Sequence, residues 1–235
     1  MKLSKWQALG NVYLLAEQAE LTPERVRELC AGKADGILEV ESDAEVKVWN
    51  ADGSIAEMSG NGARIAAAWL ARKSGAREVQ LRVGERHVTA HVDGDDVVVD
   101  VGHVNVGERE TIGLDGEQIE FTPVSVGNPH AVVRRDPADV RRLGPLIERH
   151  ARFPERTNVQ FVRVDGPHDL TVGVWERGVG VTLSSGTSSV AAAAAAIAHG
   201  WCESPVNVHL PGGDLRVALD ETGEARLAGP VVELA

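Results

Sequence analysis

Ser59-Gly60-Asn61-Gly62 leads into Ala63-Arg64-Ile65-Ala66-Ala67-Ala68-Trp69-Leu70-Ala71-Arg72-Lys73 and stops at Ser74-Gly75. Ser185-Gly186-Thr187-Ser188-Ser189 leads into the alanine run Ala191 to Ala196, continues as Ile197-Ala198-His199 and stops at Gly200. Both stretches have a hydroxyl residue suited to an N-cap, a helix-forming run poor in bulk, and a glycine where a helix can end left-handed. Position 59 falls on position 185 at an offset of 126, close to half of the 235 residues. The chain therefore reads as a weak internal duplication, each half being strands, a Ser-Gly turn and an alanine-rich helix. Helices with so little side-chain volume can sit close against a sheet wrapped round them. Taken singly, each stretch is equally well a buried helix with a small-residue cap.

Strand signals dominate the surroundings. Val46 to Trp49, Glu78 to Val83, Val88 to Val92 and Val97 to Val101 alternate or run β-branched between Gly and Asp turns. Asp93-Gly94-Asp95-Asp96 predicts a hairpin turn, because Asp-Gly tolerates positive φ. Further strands are expected at 122–126, 131–133, 159–164, 170–175, 206–210 and 215–219. Thr22 before Pro23 predicts a capped helix to about Cys30, and Asp136-Pro137 opens another running towards His150.

Composition excludes several function classes. Hydrophobic residues make up 43% and charged residues 25%, enough for a real core. A formal charge of −11 repels phosphate backbones and anionic lipid, so neither nucleic acid nor membrane is an expected partner. Two cysteines, Cys30 and Cys202, make no disulfide framework and fit a reducing cytoplasm. Both read as buried or neutral, with no metal-ligand spacing around them. In the opening stretch Gln7, Gly10 and Asn11 interrupt any signal-peptide core, and no run approaches the ~20 apolar residues of a membrane span. A cytoplasmic protein is expected.

A Ser-Gly-polar turn at a helix start exposes backbone N–H groups at the positive end of the helix dipole, which binds carboxylate or phosphate without a charged side chain. Two such turns in a pseudo-symmetric chain can hold one small acid, with a base candidate on each side. That suits removal of a proton from one face of a carbon and its return from the other, while N–H groups stabilise the charge that develops. Other signatures are missing: no phosphate loop, no dinucleotide fingerprint and no G-x-S-x-G elbow occur. His87 and His91 fall on a strand and read as exposed histidines rather than metal ligands, and no metal is expected.

At these residues the chain resembles the diaminopimelate epimerase family of cofactor-independent amino-acid racemases and epimerases. Leu9-Gly10-Asn11 is similar to the family's opening turn, and Asn50-Ala51-Asp52-Gly53-Ser54 with Ser59 to Arg64 to its first site loop. Val126-Gly127-Asn128-Pro129-His130, Phe153 to Asn158 and Trp175-Glu176-Arg177-Gly178-Val179-Gly180 follow in family order. Ser185-Gly186-Thr187 fills the second site loop, and Pro211-Gly212-Gly213 and Ala228-Gly229-Pro230 close the match. The resemblance implies an α+β fold of two pseudo-symmetric domains, each a curled, mostly antiparallel β-sheet around a central helix, with the site in the cleft between. The expected division is 1–112, completed by a last strand at 228–235, and 113–227. It implies further that Asn11, Asn50, Asn128, Asn158, Glu176 and Arg177 grip the amino and carboxylate groups of an amino acid. Gly60, Asn61, Gly186 and Thr187 would line the same site, no cofactor would be needed, and the protein would be a homodimer. Read as residues alone, Asn50 can equally shape its turn, and Glu176 with Arg177 can be a surface pair.

The departures bear on chemistry. The family's two working cysteines stand at the positions of Ser59 and Ser185. A thiol titrates near ~8.5 and lower at a helix N-terminus, whereas a serine hydroxyl is a much poorer base without an activating neighbour. His130 is the group expected to approach one of the serines. Val12 and Val181 replace acidic family residues, and the Asp-Gln pair usual near Asp35-Gly36 is missing. The double replacement fits a natural Ser/Ser subfamily or a deliberate Cys-to-Ser exchange. Three readings follow. The first is an epimerase or racemase, most simply of diaminopimelate in lysine biosynthesis, with Ser59, Ser185 and His130 moving protons. The second is a lyase or isomerase using one base, and the third an inactive amino-acid-binding homologue.

Overall fold

The computed structural model describes residues 1–42, 44–56, 59–83, 86–114 and 116–234, with Arg86 described by its backbone alone. Contacts divide the chain into two units, residues 1–100 with 228–235 and residues 101–227. The boundary lies at 100/101 rather than at 112, because the strands of 105–106 and 110–114 pair with the strand of 117–125 in the second unit.

The first unit runs β1 (Lys2–Ala8), β2 (Asn11–Glu17), α1 (Pro23–Cys30), β3 (Gly36–Ser42), β4 (Glu45–Asn50), α2 (Gly60–Ser74), β5 (Glu78–Val83), β6 (Arg86–Asp93) and β7 (Asp96–His103). Its pairings alternate: β1 and β2 form a hairpin, β2 lies parallel to β3, β3 and β4 form a hairpin, β4 lies parallel to β5, and β5 and β6 form a hairpin. Each parallel pair needs a crossover, and α1 and α2 supply the two.

The second unit runs β8 (Asn105–Val106), β9 (Glu110–Leu114), β10 (Glu117–Ser125), β11 (Pro129–Val133), a 3₁₀ turn (Pro137–Asp139), α3 (Val140–Glu148), β12 (Asn158–Gly166), β13 (Asp169–Glu176), β14 (Gly180–Thr182), α4 (Gly186–Ala198), β15 (Val206–Leu210), β16 (Gly213–Leu219) and β17 (Glu224–Pro230). The same alternation recurs from β10 through β11, β12, β13 and β15 to β16, with α3 and α4 as crossovers. The duplication is thus visible in the pairing order. A final strand, β18 (Val232–Leu234), pairs antiparallel with β1 and so belongs to the first unit.

The two alanine-rich helices are the cores of their units. Gly60 to Trp69 of α2 are buried without a break, as are Gly186 to Ala196 of α4. α4, apolar on all sides through its alanine run, has no solvent face to offer and must be enclosed; α2 is enclosed as far as Trp69 although it carries Asn61 and Arg64. α4 touches β8, β10, β11, β12, β13, β15 and β16, which is possible because alanine lets strands approach from every side. This is the mixed, mostly-sheet α+β architecture expected from the sequence. α1 is the contrast: it is amphipathic and buries only Val26 and Cys30, against Ala16, Ile37 and Trp49. Its Thr22 cap accepts a hydrogen bond from the Arg25 N–H at 3.3 Å, as the Thr-Pro signal predicts. Gly94, at φ 64°, turns the predicted hairpin between Asp93 and Asp96. Both cysteines are buried and free, and burial pushes both thiols up. Among the described residues no helix is long and apolar enough to cross a membrane.

Candidate active site

In the first unit the site residues converge on the start of α2. Leu9 at φ 50° and Gly10 at φ 84° make the tight β1–β2 turn that presents Asn11. The Asn61 amide, one residue into α2, donates to Asn11 Oδ1, and Asn61 Oδ1 accepts from Arg64 Nη2 at 2.8 Å. Arg64 is wholly buried, burial pushes its guanidinium down to about 10, and its Nε and Nη1 meet no partner among the described residues. Where the resemblance leads one to expect an acidic residue after Asn11, the Asp35 carboxylate reaches the turn instead and accepts from Val12 N at 2.8 Å.

Ser59 is the N-cap of α2. Its Oγ accepts from Gly62 N at 2.9 Å and lies 3.1 Å from the Tyr13 hydroxyl. Gly62 fits closely, since a Cβ there would stand 3.1 Å from Ser59 Oγ and from Leu38 Cδ2 and would press on both. Asn50 ends β4 opposite Gly36, which in turn lies opposite Tyr13. Its side chain donates to Ser54 Oγ at 2.9 Å, inside the turn whose ends its own backbone also ties.

In the second unit the strand ends and the start of α4 form one connected cluster. Asn158, at the start of β12, donates from Nδ2 to the Pro129 carbonyl at 3.0 Å and accepts the Arg177 backbone N–H at 2.9 Å. It thereby ties the 127–130 turn to the 176–178 turn that carries Glu176 and Arg177. Ser185 caps α4 by position but makes no side-chain capping bond. Its hydroxyl therefore does not cap the N–H groups of Gly186, Thr187 and Ser188, which stand at the positive end of a buried helix. The two serines are equivalent in position and unequal in hydrogen bonding.

His130 is where the sequence expectation and the geometry part. The side chain is buried, its Nε2 lies 2.9 Å from Asn128 Oδ1 and its Nδ1 lies 3.0 Å from Gln160 Nε2. An amide N–H facing Nδ1 and a carbonyl oxygen facing Nε2 specify one neutral tautomer with both ring nitrogens in use. Burial, with a smaller contribution from the Arg177 charge, pushes it down to about 3 from the ordinary 6.5 despite the Gln160 bond. In this arrangement His130 has no lone pair left to relay a proton to a serine; it is a neutral strut. The unfolded chain takes up a proton below about 6.5 that the folded state refuses until about 3. Stability is therefore expected to fall across that window as the pH drops, by up to ~1.4 kcal/mol per pH unit. Denaturant midpoints measured between about pH 7 and 4 should show this slope, and His130→Gln should flatten it.

Sequence reasoning missed the residues that support these groups. Glu148, buried in α3, accepts from Trp175 Nε1 at 2.8 Å and from Gly178 N at 2.9 Å, fixing the turn that holds Arg177. Glu39, buried in β3, accepts from Trp49 Nε1 at 2.7 Å and from Leu21 N at 2.8 Å. Trp49 and Trp175 each stand ten residues before their cap serine, a spacing in the sequence that marks both. Gln160 bonds His130 and, at 3.0 Å, Ser188 Oγ, and its own Oε1 meets no partner among the described residues. His87 and His91 lie exposed on β6, and the described residues hold no cluster of three or more metal-ligating side chains.

The family model for diaminopimelate epimerase matches residues 4–107 and 122–233. The chain is 35% identical to the diaminopimelate epimerase of Desulfitobacterium hafniense over 98% of its own length and 95% of that protein's. It is 37% identical to that of Methanothermobacter thermautotrophicus, over 94% and 91%. Among solved structures it is similar in fold to a predicted epimerase from Pseudomonas aeruginosa (TM-score 0.76, 15% identity, 99% and 96% covered). It is also similar to a hydroxyproline epimerase from Agrobacterium vitis (TM-score 0.73, 14% identity, 99% and 90% covered).

Proposed function

Because the chain belongs to the diaminopimelate epimerase family, we propose that it is a cofactor-independent amino-acid epimerase or racemase, most simply of diaminopimelate, with Ser59 and Ser185 at the two base positions. One observation carries this reading: each duplicated unit places a serine at the head of a buried helix, with N–H groups aimed out of its positive end. Those N–H groups, from Gly60 and Asn61 in one unit and Gly186 and Thr187 in the other, suit a carboxylate whose negative charge grows as the α-proton leaves. Arg177, always charged, suits a second carboxylate, and Asn11, Asn50, Asn128, Asn158 and Glu176 supply donors and acceptors for the rest. His130 enters as the strut that fixes Asn128, not as a base. A cytoplasmic homodimer is part of the proposal, and light scattering on the purified protein tests the dimer.

The test of function is proton NMR of LL-diaminopimelate with the protein in deuterium oxide, followed by a panel of other amino acids. Loss of the α-proton signal is the expected result. Silence across the panel, with ligand-dependent thermal stabilisation still present, would replace the enzyme reading by an amino-acid-binding one. The unequal serines favour one further reading, a lyase or isomerase that works with a single base. An unsaturated product formed without inversion at the α-carbon would single it out.

A further inference from the structure

We propose that Tyr13 and Ser59 share a proton, and that Ser59 acts at its base position by passing its hydroxyl proton to Tyr13 as it takes one from substrate carbon. This rests on the epimerase reading for the reaction, though not for the pair itself. The two hydroxyl oxygens lie 3.1 Å apart, and Ser59 Oγ already accepts the Gly62 N–H at the head of a 15-residue helix. Either hydroxyl can donate in this bond; with the Gly62 N–H on one Ser59 lone pair, the direction the step uses runs from the Ser59 O–H to the Tyr13 oxygen. A phenol ionises near ~10, far more readily than an aliphatic alcohol, so the pair holds its exchangeable charge on the tyrosine.

Tyr13 is seated for this role. It lies opposite Gly36 in the parallel β2–β3 register, and a Cβ at Gly36 would come within 2.7 Å of its ring, so the glycine makes room for the aromatic. The second unit supplies a contrast. His130 holds the matching place, opposite Asn158 in the parallel β11–β12 register, and is locked neutral. The titratable partner therefore survives on the first unit's side.

The step balances. With Tyr13 as phenolate, the substrate C–H bond breaks and its pair stays on carbon. The proton goes to Ser59 Oγ, whose own proton passes to Tyr13 Oη. The reverse step returns both. Charged groups on the elements around Tyr13 are Lys2, Lys5 and Glu17 on the β1–β2 hairpin, Asp35 at the Val12 N–H, Glu39 on β3, Lys47 on β4 and Arg64 on α2. The lysines also titrate in alkali, so a readout specific to the phenol is needed.

The sequence provides one: Tyr13 is the single tyrosine among the 235 residues. Phenolate absorbance followed against pH therefore reports Tyr13 alone. Ser59→Ala should move that titration upward by about half a unit or more, because the phenolate loses the Ser59 donor. In the exchange assay the wild-type rate should climb through the phenol's titration. Tyr13→Phe, which keeps the ring, should lower the rate in alkali by about 10-fold or more and remove the climb. Exchange with an unchanged pH profile in Tyr13→Phe overturns the proposal while leaving the epimerase reading intact. Should the wild type exchange nothing, the epimerase reading fails and the absorbance titration decides the pair: an upward shift in Ser59→Ala upholds proton sharing, and an unmoved titration overturns it.

Discussion

Converting both helix-cap serines to cysteine, Ser59→Cys together with Ser185→Cys, is expected to raise α-proton exchange on diaminopimelate by on the order of 10²–10⁴-fold, the range general-base catalysis ordinarily contributes. A thiol ionises near ~8.5, and a helix N-terminus lowers that further, so an appreciable fraction is thiolate near neutrality. Both positions head buried helices, α2 of 15 and α4 of 13 residues. Serine and cysteine differ by one atom, so the framework that places the base is retained. The cap on α2 weakens because sulfur is the poorer acceptor for Gly62 N–H, at about 1 kcal/mol of stability. Solvent deuterium incorporation read by NMR on the double variant measures the gain. An unchanged rate would mean that positions 59 and 185 do not face the reacting carbon.

Asn61→Leu is expected to destabilise the protein by about 3–5 kcal/mol, the cost of leaving a buried charge without its acceptor. Asn61 Oδ1 is the one acceptor that Arg64 meets among the described residues, while Nε and Nη1 already go without. Loss of that amount is a large share of the 5–15 kcal/mol by which domains are usually stable. Asn61→Asp, which restores an acceptor and adds a countercharge, should recover much of it. Urea unfolding of the two variants makes the comparison. Equal destabilisation by Leu and Asp would trace the effect to the Asn11 contact, which both variants disrupt, and away from Arg64.

Much of this site was legible before any coordinates, and the legible part is local. The Ser-Gly heads of α2 and α4, the Thr22 cap and the Asp-Gly turn each declare themselves within a few residues, because capping and turn chemistry act over that range. β1, β2 and β3 escaped notice. Their Leu, Ala and Glu content suits helix as well as strand, and only pairing with one another and cover by α1 and α2 makes them sheet. The supporting residues are long-range by nature. Glu148 and Trp175 are far apart in sequence, as are Tyr13 and Ser59, and no spacing rule joins residues that meet only when the sheet closes. His130 shows the reverse failure: its type suggested a base, and its two hydrogen-bonding neighbours, Asn128 and Gln160, set a different role.

The pairing of β1 with β18 puts Lys5 opposite Leu234, Trp6 opposite Glu233 and Gln7 opposite Val232. Arg72 of α2 clasps the same seam, stacking over the Trp6 ring at 4.8 Å and bonding Glu233 at 2.6 Å. On the ribosome, therefore, the half of the molecule translated first is the half finished last. The second unit is built from consecutive chain, residues 101–227, and throughout its synthesis the first carries an open strand edge that waits for the residues around 232. An open edge is a template for pairing with other chains, so the time between completion of residue 100 and arrival of residue 232 is when a nascent molecule of this protein is most exposed to aggregation.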